Sequence, residues 1–280
     1  MKLVRFGEMG NERPGLVDAD GTIRDMSGIV PDYGPDSVSP ALYEKLAGAD
    51  LSSRPAAPAG SRIGAPLCRI GHFIAIGLNY ADHAAETGAP IPKEPIVFSK
   101  APNSLSGPND DVLIPRGAQK LDWEVELAVV IGKRCDYVDK NDALSHVFGY
   151  AVCNDVSERA YQAERGGQWI KGKSAPTFGP LGPFLVTADE IADPQALDMF
   201  LDVNGQRRQT GNTATMIFSV AEIISYLSEF MVLEPGDVIT TGTPPGVGLG
   251  FKPPVFLRDG DTMHLGIAGL GEQHQTVVAR

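Results

Sequence analysis

Apolar positions along this chain come in short runs separated by turn residues rather than in long helical stripes. Runs at 73–77, 96–99, 124–131, 149–154, 184–187, 201–203, 238–241 and 262–267 have strand length. Several are continuous rather than alternating, the pattern of strands buried on both faces. Near the start, residues 2–6, 15–18 and 22–26 form short apolar segments around an Asp20-Gly21 turn, which predicts a small β-meander. Helical spacing predicts helices at 41–49, 157–164 and 219–230, and a shorter one at 79–86 stopped by Gly88 and Pro90. The stretch 52–60 is rich in Pro, Ala and Ser without periodicity and reads as a linker. The expected organisation is therefore a small N-terminal α/β unit with its linker over 1–65, and an α+β, mainly β, catalytic domain over 66–280.

Composition narrows the function classes. Of the 280 residues 42% are hydrophobic, enough for a sizeable core, and the 32 glycines and 22 prolines fit a turn-rich β fold. Acidic residues outnumber basic ones 35 to 24, a net charge of −11. That is the wrong sign for a chain that neutralises phosphates, so neither nucleic acid nor an anionic membrane is expected as a partner. Three cysteines without a C-x-x-C pair fit a reducing compartment. With no apolar h-region at the start and no apolar run near the ~20 residues of a membrane helix, a cytoplasmic location is expected.

Four segments carry candidate chemistry. In Asp122-Trp123-Glu124-Val125-Glu126, Glu124 and Glu126 sit two apart on a strand and share a face. Two adjacent carboxylates at the mouth of an apolar strand repel each other, which a hard divalent cation relieves; a solvated outer strand face is the alternative. Tyr150–Asn154 is another apolar strand ending in an acid, Asp155, where Ser157 is positioned to cap a helix that puts Arg159 and Gln162 on one face. In 79–86, His83 and Glu86 at i and i+3 have the spacing of a base and the carboxylate that orients it, or of a simple ion pair. Gly167 to Ser174 matches the phosphate-loop letters around Lys173, but Ala175-Pro176-Thr177-Phe178-Gly179-Pro180 cannot continue as a helix, so a nucleotide is not expected. Gly246–Gly250 fails for the same reason, since Phe251-Lys252-Pro253-Pro254 follows it. Thr241-Gly242-Thr243 comes after a strand, and Thr243 offers a hydroxyl beside a loop that permits close ligand approach.

Taken in order, Gly77-Leu-Asn-Tyr-Ala-Asp-His83-Ala-Ala-Glu86, Phe98-Ser-Lys100, Asp122-Trp-Glu124-Val-Glu126, Asn154-Asp155-Val-Ser-Glu-Arg159-Ala-Tyr-Gln162, Gly172-Lys173-Ser174 and Thr241-Gly-Thr243-Pro resemble the fumarylacetoacetate hydrolase family over about residues 70–280. Within that family the chain is most similar to hydrolases of 2,4-diketo-3-deoxy-L-rhamnonate or L-fuconate, whose relatives are often labelled ureidoglycolate lyase. The resemblance implies a rolled mixed β-sheet core and a homodimer. It implies Mg²⁺, with Mn²⁺ or Ca²⁺ as alternatives, on Glu124, Glu126 and Asp155. It further implies catalysis by His83, Glu86 and Lys173, and binding of a small diketo acid by Arg159, Gln162, Thr243, Lys100 and Tyr80. The expected reaction is cleavage of a C–C bond between two carbonyls, giving pyruvate and L-lactate from the rhamnonate derivative. Acylpyruvate hydrolysis, oxaloacetate decarboxylation, ureidoglycolate cleavage and dienoic-diacid isomerisation are the alternatives on the same scaffold.

Overall fold

The computed structural model describes residues 1–82 and 90–280. Two large sheets carry most of the strands, beside two short two-stranded ones. The larger, ten-stranded sheet runs in the order Ile23–Asp25, Arg13–Val17, Lys2–Phe6, Leu185–Thr187, Val147–Asn154, Val125–Ile131, Val238–Thr240, Phe73–Gly77 and Ile96–Lys100, with Ile63–Gly64 paired to Lys2–Phe6 off that path. Its neighbours are antiparallel except Val238–Thr240 and Phe73–Gly77, which run parallel. The smaller sheet is ordered Gln206–Asn212, Asp198–Val203, Thr262–Ile267, Gly271–Ala279 and Val112–Ile114. The fold is α+β and mainly β, as expected.

The central Val125–Ile131 strand explains why its sequence does not alternate. Val125, Leu127, Val129 and Ile131 face one core with Met199, Leu201, Met263 and Leu265 of the smaller sheet. Ala128 and Val130 face a second core with Leu3, Tyr33, Leu42 and Leu46 of the N-terminal residues. Both faces are covered, and each large aliphatic side chain so buried contributes about 1.5–3 kcal/mol. Helix Val220–Phe230 closes the first core with Val220, Ile223, Ile224 and Leu227. It begins in a reciprocal cap, the Ser219 hydroxyl accepting from the Glu222 N–H while the Glu222 carboxylate accepts from the Ser219 N–H.

Several expectations need amendment. Residues 1–65 have a core of their own making only in part, because Lys2 and Leu3 pair with Val186 and Leu185 and so extend the main sheet. The stretch read as a linker is tied down: Asp25 N donates to Pro55 O and Ala57 N to Ile23 O. Strands Gln206–Asn212 and Gly271–Ala279 were not anticipated, since polar residues dominate both. Ser157 does not cap the following helix, Arg159–Ala163. Its hydroxyl donates to Asp155 O, and Glu158 caps instead, accepting from Tyr161 N at 2.6 Å. No helix among the described residues is long and apolar enough to cross a membrane.

Candidate active site

A cavity of about 320 Å³ opens where the ends of the central strands meet three loops. Glu124 and Glu126 enter it from the start of the Val125–Ile131 strand, sharing a face as their spacing requires. Asp155 follows the antiparallel neighbour Val147–Asn154, and its N–H donates to Glu124 O at 2.9 Å, which sets the two strand ends side by side. Each of the three acids offers an oxygen within 4.8 Å of the others, and all are buried.

The cations nearby are committed to these acids. Lys173 Nζ donates to Glu124 Oε2 at 2.6 Å and to Asp155 Oδ2 at 2.7 Å. The lysine of the phosphate-loop lookalike thus serves carboxylates, on a single helical turn, Ile170–Lys173. Lys100 Nζ donates to the other Asp155 oxygen and, at 2.6 Å, to Lys173 O. Arg159 spans Asp122 Oδ2 through Nε and Glu124 Oε1 through Nη2, both at 2.7 Å, and donates to Gln162 Oε1 at 3.1 Å. Glu126 is the exception. Among the described residues it accepts only the Gly242 N–H, at 2.9 Å. Gly242 has φ +94°, and a Cβ there would lie 2.8 Å from the Asn79 Cβ, so this donor position requires glycine.

The titration of the cluster follows from that arrangement. Burial would raise the Glu124 carboxyl, but Lys173 and Arg159 overcome it and hold the group well below its ordinary value. Burial raises Glu126 too, and there Asp155 and Glu124 push in the same direction, so it stands well above the ordinary carboxylate range. Burial opposes the charge on Lys173, yet Asp155 and Glu124 bring a net upward shift and keep it an ammonium. Among the described residues four buried acids, Asp122, Glu124, Glu126 and Asp155, face three buried cations, Lys100, Arg159 and Lys173. An all-oxygen set of three converging carboxylates with one charge left over fits a hard divalent cation.

The remaining expected residues are placed as follows. Gln162 lines the cavity; with Oε1 taken by Arg159, its amide N–H groups are the end available to a ligand. Thr243 also lines it, but its hydroxyl donates to Val125 O and accepts from Gln209 Nε2, so it braces the Glu124–Glu126 strand. Tyr80 is not brought to the cavity; it is fully buried in the core and its hydroxyl donates to Met199 Sδ at 3.2 Å. Lys100 is likewise fully buried, behind Asp155 rather than on the cavity wall. His83 and Glu86 lie outside the described residues.

Other members of the site were not singled out from sequence. Asp122 accepts Arg159 Nε and also the N–H groups of Gly248 and Leu249, fastening the glycine-rich loop to the cavity rim. Gln209 donates to Thr243 and Pro244 and accepts the Val125 N–H. Asp122 precedes the Glu-x-Glu pair at the same two-residue step, a signal present in the sequence; Gln209 lies in a polar strand and gave none. The cavity is also lined by the apolar side chains Ile76, Leu78, Phe98, Trp169, Val247 and Leu249, with the Phe98 and Trp169 rings edge to face at 5.2 Å and Lys173 Nζ 5.1 Å from the Phe98 ring.

Comparison with known proteins places this geometry. Residues 72–278 match the family model described as fumarylacetoacetate (FAA) hydrolase C-terminal. A Burkholderia ambifaria protein named as a hydrolase is 58% identical over 277 residues, covering 99% of this chain and 98% of its own length. The solved fumarylacetoacetate hydrolase from Exiguobacterium antarcticum is 38% identical, with a TM-score of 0.86 and full coverage of both chains. Maleylpyruvate hydrolase from Sphingobium sp. SYK-6, solved in complex with manganese(II) ion and pyruvate, is 35% identical with a TM-score of 0.82, covering 100% of this chain and 99% of that one.

Proposed function

Since the chain belongs to the fumarylacetoacetate hydrolase family and is an enzyme of hydrolase type, we propose that it hydrolyses a C–C bond in a small 2,4-diketo acid and releases pyruvate. The observation that carries this reading is Glu126, which has no cation partner among the described residues, beside Glu124 and Asp155 in a cavity lined otherwise by apolar side chains. These three residues would hold Mg²⁺ or Mn²⁺. When bound, the ion supplies Lewis-acid polarisation of the substrate's ketone oxygens and offsets the negative charge that develops on the departing pyruvate. The manganese and pyruvate in the similar maleylpyruvate hydrolase support this assignment.

The chain's own residues divide the remaining work. His83, oriented by Glu86, takes a proton from water as its oxygen adds to the C4 carbonyl; the support for this pair is their sequence spacing. Two of the three N–H donors of Lys173 are spent on Glu124 and Asp155, which leaves one for the oxyanion at C4, together with the Gln162 amide. The C3–C4 bond then breaks, the acyl part leaves as a carboxylate, and the proton returns to C3 to complete pyruvate. Arg159 keeps Glu124 ionised rather than gripping the substrate, because its guanidinium is already divided between two carboxylates.

The apolar lining favours a short acylpyruvate over the polyhydroxylated 2,4-diketo-3-deoxy-L-rhamnonate or L-fuconate, whose hydroxyls would face Phe98, Trp169, Val247 and Leu249. The test is pyruvate release by purified protein supplied with Mg²⁺ or with a chelator. Acetopyruvate and 2,4-diketo-3-deoxy-L-rhamnonate are the paired substrates. Chelator-sensitive turnover favouring acetopyruvate is expected. A preference for the sugar acid overturns the specificity assignment and retains the chemistry. Pyruvate from neither overturns the hydrolase reading.

A further inference from the structure

A second cluster of ligating side chains lies away from the cavity, on the outer face of the smaller sheet. The register of Thr262–Ile267 and Gly271–Ala279 sets His264 opposite His274 and Gly266 opposite Glu272. Period-two alternation puts these four positions on one face, while Met263, Leu265, Gln273 and Gln275 face inward and are buried. The two imidazoles stack with centroids 4.2 Å apart and 11° between planes. His264 Nε2 is 2.8 Å from Glu272 Oε2. One donor atom from each of His264, Glu272 and His274 lies within 4.8 Å of the other two.

Three surrounding features hold the group together. A Cβ on Gly266 would come within 2.9 Å of Glu272 Cγ and 3.0 Å of a Phe200 ring carbon, so the bare glycine is what lets Glu272 lie across the neighbouring strand toward His264. The Phe200 ring meets His264 edge to face, with centroids 5.0 Å apart. On the far side of the His264 ring, Asp202 Oδ2 stands 3.8 Å from Nδ1, and Asp202 is itself paired with Arg207. At that distance Asp202 adds negative charge beside the His264 ring without a hydrogen bond to it.

We propose that His264, His274 and Glu272 form a surface site for an imidazole-favouring divalent transition ion, of the class of Zn²⁺ or Cu²⁺. Tetrahedral bonds of about 2.0–2.1 Å put ligand atoms roughly 3.3 Å apart, so the exposed His274 ring must turn out of its parallel stack on His264 for the lone pairs of both ring planes to meet on one ion, with a fourth position left for water. The chain thereby carries two centres that sort ions by hardness: an oxygen-only centre in the cavity and a nitrogen-rich one on the outer sheet. An ion at the second cross-links Thr262–Ile267 to Gly271–Ala279, and the inward side chains of the latter strand, Gln273 and Gln275, reach Val152 O and Asn154 Nδ2.

The test uses the full chain with Mg²⁺ at saturation, so that the cavity acids are occupied, and Cu²⁺ as the probe. One equivalent of Cu²⁺ should bind, with an electron paramagnetic resonance spectrum showing coupling to two imidazole nitrogens. His274→Asn should lose one nitrogen coupling and weaken Cu²⁺ binding by more than the roughly tenfold that loss of an outer partner costs. Glu272→Gln should weaken binding while keeping both couplings. The Mg²⁺-dependent rise in melting temperature should be the same in all three proteins. An unchanged Cu²⁺ affinity and spectrum in His274→Asn would overturn the site, as would the absence of stoichiometric binding by the parent protein.

Discussion

Two groups of ion pairs in this molecule have the same excess of one acid and opposite consequences. Where the N-terminal residues meet the main sheet, Arg5 and Arg62 serve Glu12, Asp32 and Asp110: Arg5 forks onto Asp32 and Arg62 bridges Glu12 at 2.8 Å and Asp110 at 2.5 Å. Around the cavity Lys100, Arg159 and Lys173 serve Asp122, Glu124 and Asp155, with Glu126 beside them. At the first group every carboxylate has a guanidinium and water still reaches Asp32 and Arg62, each with 29% side-chain exposure. Burial there raises Glu12, but the Arg62 hydrogen bond and the nearby Arg5 bring it below its ordinary value. At the second, the excess falls on one sealed carboxylate, Glu126, whose partner among the described residues is a single backbone N–H. A surplus charge spread over a wet cluster is structure; concentrated on one dry oxygen pair it is an invitation to a cation.

The largest expected effect sharpens this contrast. Glu126→Gln keeps the shape and removes the surplus charge, so kcat/KM for pyruvate release should fall by about 10³-fold. The metal-free protein should melt no lower than the parent, while the Mg²⁺-dependent rise in melting temperature is lost. A variant with normal turnover would break the assignment of Glu126 to the metal centre. Next in size, Arg62→Met leaves Asp110 without its guanidinium and Glu12 with Arg5 alone, and should cost about 1–3 kcal/mol in denaturant unfolding, the partial exposure keeping it below the figure for a sealed pair. Its kcat/KM should stay at the parent value; a large loss of turnover would show that the two groups are not independent. The smallest effect is in pH. Glu12 has a lowered pKa in the fold, so its contribution is present above its ordinary value near 4.5 and is lost as pH falls through the lower folded value. The stability gap between parent and Arg62→Met should therefore narrow as pH falls below about 4.5, and a gap that widens would contradict the role given to Arg62.

Much of the scaffold was legible because burial on both faces leaves continuous apolar runs, and those at 73–77 and 262–267 became the strands Phe73–Gly77 and Thr262–Ile267. The polar strands Gln206–Asn212 and Gly271–Ala279 were not, because hydrogen bonding to neighbours rather than apolar content holds them in the sheet. In the site, the period-two step of Glu124 and Glu126 fixed their shared face locally. Asp155 could be suspected only as a strand-end acid until the antiparallel pairing of Val125 with Asn154 set it beside them.

Sequence alone therefore determined the strand-rich class, the shared face of Glu124 and Glu126 and the absence of a helix after the phosphate-loop lookalike, since each depends on spacing within one segment and on what a short run of backbone can do. Only the tertiary structure decided which charges meet. Arg159 was spent on Asp122 and Glu124, Lys100 and Tyr80 were withdrawn into the interior, and Glu126 was left among the described residues with one N–H, because partners 35 to 119 residues apart in the chain are chosen by sheet register and burial rather than by local pattern.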